Sequence, residues 1–153
     1  MNSTSSTTSS TSVNHDTLRT CHTDDLPWVW WAMKGSQFKL LSADRDSGHF
    51  TLLIKVAPGV TAPLHRHIGA VEAYVLEGSF HYSDDPTIRF TAGCYLMEHA
   101  GAVHQPVSPD GALMLAHFHG PVEGLDEAGN VSGRIDWRWH VDAWNAAGGD
   151  YQV

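Results

Sequence analysis

The sequence is poor in cysteine and in positive charge. Of 153 residues only two are cysteines, Cys21 in a polar stretch and Cys94 in an apolar one. A disulfide framework is therefore not expected, and a reducing cytoplasm suits both thiols. Nine lysines and arginines stand against seventeen aspartates and glutamates, a formal net charge of -8, and the basic residues form no cluster. That excludes the surface a nucleic acid or an anionic membrane requires and leaves small molecules as the expected partners. No apolar run approaches the roughly 20 residues of a membrane helix, and there is no internal repeat. What the chain does have is a 42% hydrophobic content, enough at this length for one globular domain with a core.

The opening "MNSTSSTTSSTSVNHD" lacks the basic start and apolar run of a signal peptide and is too polar to pack. Residues 1–22 are expected to form a disordered Ser/Thr-rich leader, followed by a single domain over 23–153 of a soluble, cytoplasmic protein. "LPWVWWAMKG" concentrates Trp28, Trp30 and Trp31, read as the cover of a barrel end or an oligomer interface rather than as substrate contacts. "FKLLSADRDSGHFTLLIKVAPG" reads as two strands joined by a polar turn at Asp44 to Gly48, and "VEAYVLEGSFHYSDD" as a hairpin hinged near Gly78. The stretch from Thr87 to Pro121 adds three more short strands punctuated by Gly and Pro. Seven to nine closely spaced strands without an intervening helical period predict an all-β antiparallel sandwich or barrel. Near the C-terminus, Trp137, His140, Val141 and Trp144 fall at i, i+3, i+4 and i+7, with Gly148 placed to stop a short helix packed on the barrel.

His65 and His67 are the first candidates for chemistry. In a strand alternate side chains share a face, so the two imidazoles point the same way from backbones about 6.6 Å apart and can reach one ion. A pair of this kind is weak evidence alone. Gly59 lies six residues before His65, however, and "GCYLMEHAGAVH" runs from Gly93 to His104 with Gly101 three residues before the histidine. This resembles both signature motifs of the cupin superfamily, G-x5-H-x-H-x(3,4)-E-x6-G and G-x5-P-x-G-x2-H-x3-N, over about residues 38 to 120. His99 stands where the second motif has proline and Ser108 where it has asparagine, positions that shape turns rather than bind metal. The resemblance implies a single-domain double-stranded β-helix, or jelly-roll barrel, that holds a metal on His65, His67 and His104.

Glu72 fits the motif less well. Counted back from Gly78, the glutamate position is occupied by Val71, and a shift of one residue turns a strand side chain to the opposite face. The expected site is therefore three neutral histidines. A bulge between Ile68 and Val71 is the competing reading, which would return Glu72 to the interior as a fourth ligand. His117 and His119 form a second H-x-H pair, but their strand carries Met114, Ala116 and Phe118 on the alternate face, so both histidines are expected outside or at an interface. Glu98, six residues before His104, is expected near the metal, accepting a hydrogen bond from a ligand imidazole or bound water, or taking a substrate proton; the alternative reading is a plain surface carboxylate.

Three neutral ligands leave a divalent ion's charge uncompensated and one face open, which favours a chelating anion. Imidazoles suit Fe, Zn, Cu and Ni alike. The three-histidine pattern with its displaced glutamate, Gly120 and Pro121 followed by "DEAGNVSGRIDW", and the Trp-bearing helix resemble the cupin branch that contains 2,4'-dihydroxyacetophenone dioxygenase and acetylacetone dioxygenase. That resemblance implies Fe(II) as cofactor, although Zn, Ni or Cu could occupy a purified sample. It implies O2 and a hydroxy-ketone or β-diketone as co-substrates, cleavage of the carbon-carbon bond beside the carbonyl, and Glu98 as the acidic catalytic residue. Val71, Ala73, Val75, Met114 and Phe118 are expected to line the substrate pocket. Two alternatives stand beside this: a Zn or Mn cupin isomerase or lyase, and a non-catalytic sensor of the anti-sigma type. A homodimer or homotetramer is expected from the Trp-rich segment and the edge strands.

Overall fold

The computed structural model describes residues 18–152, so the expected leader falls for the most part outside the described residues. Where its last residues enter the structure, Arg19 donates from Nε to the Leu41 carbonyl at 2.9 Å and stacks on the Tyr151 ring at 4.0 Å.

Thirteen strands and one helix follow a short 3-10 turn at Thr23–Asp25. They are β1 (Val29–Trp30), β2 (Ser36–Ala43), β3 (Phe50–Val56), β4 (Val60–Thr61), β5 (His65–His67), β6 (Val71–Tyr82) and β7 (Asp85–Thr91). The second half adds β8 (Tyr95–Glu98), β9 (Val103–His104), β10 (Pro106–Ser108), β11 (Ala112–Phe118), β12 (Val122–Leu125), β13 (Val131–Ile135) and α1 (Trp137–Ala146). The all-β class and the terminal helix are as the sequence predicts, but the strands outnumber the seven to nine expected. The extra ones, such as β4, β5, β9 and β10, are two or three residues long between Gly and Pro. Such pieces are too short to show a period of two.

A nine-stranded sheet runs β1-β2-β3-β11-β6-β10-β4, with β7 and β8 also paired to β6. A four-stranded sheet, β13-β12-β5-β9, faces it across a central cavity. All pairings are antiparallel, giving the curled double sheet of a jelly-roll barrel. β6 is the backbone of this arrangement. The sequence suggests a hairpin hinged at Gly78, whereas β6 is one twelve-residue strand that bends there and turns back only after Tyr82. Its first half pairs with β11 and β8 and its second with β7 and β10. At the bend Gly78 has φ +71°, and a Cβ on it would lie 2.0 Å from the Gly111 carbonyl oxygen, so only glycine lets the two backbones close.

Strand alternation puts Phe38, Leu40, Phe50, Leu52, Val75 and Phe118 in the core. Phe50 stacks on Phe118 at 4.6 Å and on His140 at 4.4 Å, which seats α1 against the large sheet. The helix is capped by Asp136, whose side chain accepts from the Trp139 amide, and buries His140, Val141 and Trp144 on the face the sequence predicts. No helix among the described residues is long and apolar enough to cross a membrane.

Candidate metal centre

Strand register brings the three expected histidines together. His65 on β5 lies directly opposite His104 on β9, and His67 is two residues along the same face. His65 and His67 are buried and His104 nearly so. Nε2 of His104 sits 2.9 Å from Nε2 of His67 and 3.0 Å from Nε2 of His65. Two imidazole nitrogens each roughly 2.0–2.1 Å from one ion stand about 2.9 Å apart when they subtend a right angle, so these spacings fit a shared metal with its remaining positions open. The tautomer of one ring is settled by its surroundings. Nδ1–H of His65 donates to the Pro63 carbonyl at 2.9 Å, which leaves the Nε2 lone pair aimed at the centre. Burial holds the His65 pKa down at about 4, with the Pro63 hydrogen bond opposing, and burial likewise lowers that of His104 against the pull of Glu98. Both are therefore neutral near pH 7, the state a metal ligand needs.

Glu98 closes the site from the large sheet. It pairs with Val71 in the β6–β8 ladder, so both point inward, while the next pair, Glu72 and Met97, points outward. Glu98 Oε2 is 3.1 Å from His67 Nε2 and Oε1 is 3.5 Å from His104 Nε2. Burial works to raise the Glu98 pKa, but the His67 contact, the neighbouring His104 and the Tyr82 hydroxyl outweigh it and hold the carboxyl below its usual value. Tyr82 donates its hydroxyl to Glu98 Oε1 and lays its ring on His104 at 4.6 Å and 12°. Burial and the adjacent Glu98 charge raise its own pKa, so the hydroxyl keeps its proton.

The centre lies in the wall of a cavity of about 440 Å³ between the sheets. Of the residues expected at a substrate pocket, Val71, Ala73, Met114 and Phe118 line this cavity. Val75 does not: it is fully buried in the core and is no part of the cavity wall. It keeps the inward alternation of Val71 and Ala73, paired with Met114, but lies further along β6, where its side chain is packed into the core. Trp31, expected at a barrel end or an interface, is a cavity residue, held edge-on to Phe118 and donating from Nε1 to His140 Nε2 at 2.9 Å. Tyr82 carries no metal-ligand signature, and a strand that continues past Gly78 is the one pattern that could have placed it.

Glu72 lies on the opposite face from the histidine centre. β6 enters its ladder in register, Val71 against Phe118 and Glu72 against His117, so the bulge that would turn Glu72 inward is not there. Its carboxylate instead accepts from Tyr95 Oη at 2.7 Å and from His119 Nε2 at 2.9 Å on the outer face. His117 and His119 are also on that face, as the alternation predicts.

Residues 16–123 match the family model described as the ChrR cupin-like domain. The chain belongs to that family. Among solved structures it is similar to a protein of unknown function with a cupin-like fold from Ralstonia eutropha, at 27% identity and TM-score 0.80 over 89% of this chain and 88% of that one. It is also similar in fold to an acetylacetone dioxygenase from Acinetobacter johnsonii, at 19% identity and TM-score 0.73 over 95% and 97% of the two chains. The anti-sigma ChrR of Rhodobacter sphaeroides, solved with SigE, is a more distant likeness at 24% identity and TM-score 0.52, covering 63% of this cupin and 50% of that chain. No curated protein matches the sequence.

Proposed function

We propose that this cupin is a non-haem Fe(II) dioxygenase that splits the carbon-carbon bond beside a carbonyl in a hydroxy-ketone or β-diketone. The observation that carries the reading is three converging imidazoles with a carboxylate beside them, on a cavity lined mainly by apolar side chains. The whole-length likeness to an acetylacetone dioxygenase adds support at the level of fold. His65, His67 and His104 would hold the ion. Bound there, Fe(II) supplies Lewis-acid polarisation of two substrate oxygens and the redox capacity for reaction with O2.

The chain's own residues supply the rest. The ligand set brings no negative charge, so a substrate that has lost a proton binds more strongly than its neutral form. Glu98, held ionised, accepts that proton from the carbon between or beside the substrate oxygens. Tyr82, held protonated, occupies Glu98 Oε1 and keeps the carboxylate turned to the centre. Val71, Ala73, Met114, Phe118 and Trp31 exclude water and hold the alkyl or aryl group so that its electron-rich carbon faces the open side of the centre. Substrate and O2 combine without other reactants, and one oxygen atom enters each of two carbonyl or carboxyl products.

The family match favours a second reading, a metal-binding sensor domain without catalysis, as the anti-sigma ChrR likeness suggests. An isomerase or lyase acting on a sugar or small acid is less well supported, because the apolar wall offers such a substrate few hydrogen bonds. Anaerobic protein reconstituted with Fe(II) is expected to consume O2 with 2,4'-dihydroxyacetophenone or acetylacetone, while the Zn(II) protein and His104→Ala do not. Metal-loaded protein that consumes no O2 with either compound points to the sensor. Self-association is also proposed, supported by Tyr74, Tyr95, Met97 and Leu115, exposed side chains on neighbouring outward positions of β6, β8 and β11. Sedimentation equilibrium tests it, and a monomer at micromolar concentration contradicts it.

A further inference from the structure

We propose that His49, His117 and His119 form a second transition-metal site, on the outer face of the large sheet, that takes one ion of the Zn(II), Ni(II) or Cu(II) class with Glu72 orienting His119. One ligand nitrogen from each ring lies within 4.8 Å of one from each of the others. Ring centroids are 4.8 Å apart for His49 with His119 and for His117 with His119, and 5.5 Å for His49 with His117.

The strand ladder builds the cluster. His117 lies opposite Thr51 on β3 and opposite Glu72 on β6, so this row crosses three neighbouring strands on the outward face. His119 follows His117 on the same face of the chain, and His49 enters from the turn that leads into β3. The residues between them, Phe50 and Phe118, point the other way and stack in the core, so neither strand can rotate its histidines off the outer face without dismantling that stack.

Two of the rings are held as ligands usually are. Nε2–H of His119 donates to Glu72 Oε2 at 2.9 Å, which leaves Nδ1 with its lone pair free, and a carboxylate in this position raises the basicity of the ring. Glu72 is in turn fixed by the Tyr95 hydroxyl at 2.7 Å. Nδ1 of His117 is bonded to Thr51 Oγ1 at 2.8 Å, which leaves Nε2 available. Imidazoles with an adjacent carboxylate suit the borderline ions named, and partial exposure of all three histidines leaves a position for water. Such an ion would tie the β2–β3 turn to the end of β11. It shares no ligand with the inner centre, whose His65, His67 and His104 face the cavity.

Chelator-treated protein titrated with Zn(II), and in parallel with Co(II) followed by absorption, tests the proposal. Two ions per chain are expected for the wild type, and one for His49→Gln/His117→Gln and for His65→Ala/His104→Ala. Glu72→Gln should weaken the outer site roughly 10- to 100-fold and leave the inner one unchanged. The outer substitutions touch half-exposed positions, so that variant should keep the wild-type circular dichroism and decides the matter even where the inner variant fails to fold. A wild type that takes one ion, or an outer variant that still takes two, overturns the site. Half an ion lost per chain would place the metal between two copies and overturn it as well.

Discussion

His140 should make the fold acid-labile by an amount that can be calculated. The ring is fully buried between Phe50, Phe38 and the tryptophans of the helix region. Nδ1–H donates to the Asp136 carbonyl and Nε2 accepts from Trp31 Nε1–H, so both nitrogens are used by the neutral form and a second proton has no acceptor. Burial lowers the pKa from 6.5 to about 4, with Asp136 opposing. The unfolded chain therefore binds a proton between pH 6.5 and about 4 that the folded chain refuses, and stability is full above 6.5 and lost as pH falls through that window. The loss attributable to His140 is about 2 kcal/mol at pH 5 and roughly 3 kcal/mol once the pH is below 4. Urea unfolding of wild type and His140→Gln from pH 4.5 to 8 measures it. The variant should be less stable at pH 8 but lose about 2 kcal/mol less than the wild type on going to pH 5. His65, held near 4 by its own burial, contributes equally to both proteins and drops out of the difference. Parallel curves for the two proteins would mean that His140 is not kept neutral by its burial.

Three further outcomes follow from the site and its frame. Tyr82→Phe keeps the ring over His104 but removes one of the hydrogen bonds that lower the Glu98 pKa, so the acid limb of kcat/KM in Fe(II)-loaded protein should move to higher pH with metal content unchanged; an unmoved limb contradicts the role given to Glu98. Gly78→Ala places a Cβ 2.0 Å from a backbone oxygen at a positive φ, and should lower unfolding free energy by at least about 2 kcal/mol in urea titration; a change within 0.5 kcal/mol or so would mean that the bend is not held as described. Ala73→Leu fills part of the cavity wall, and steady-state kinetics should show a larger loss of kcat/KM for the aryl ketone than for acetylacetone; equal losses would place the substrate elsewhere.

The three-histidine cluster is legible in the sequence because it depends on two local patterns. Alternation puts His65 and His67 on one face, and glycines at fixed spacing mark the turns that bring His104 opposite His65. The same alternation separated Glu72 from Val71 and His117 from Phe118 without reference to any partner strand. What was not legible depends on how strands depart from that period. Reading Gly78 as a hairpin ended the strand too early, and Tyr82, four residues beyond it, disappeared from the site. Val75 shares the inward face of Val71 and Ala73 but is packed wholly into the core, and alternation reports the face of a side chain without its place along the barrel. Trp31 reached the cavity because His140, far away in the sequence, offers Nε2 to its indole, a long-range contact invisible in either segment alone. His49 joined His117 and His119 for the same reason: the ladder between β3 and β11 brings its turn alongside them.

In the proposed reaction the three-histidine centre uses O2 to cleave a carbon-carbon bond. Fe(II)-loaded protein turned over with acetylacetone or 2,4'-dihydroxyacetophenone under ¹⁸O2, with both products analysed by mass spectrometry, tests it most directly. One ¹⁸O atom is expected in each cleavage product. Products labelled only from water, or an uncleaved substrate in iron-loaded protein, would contradict it.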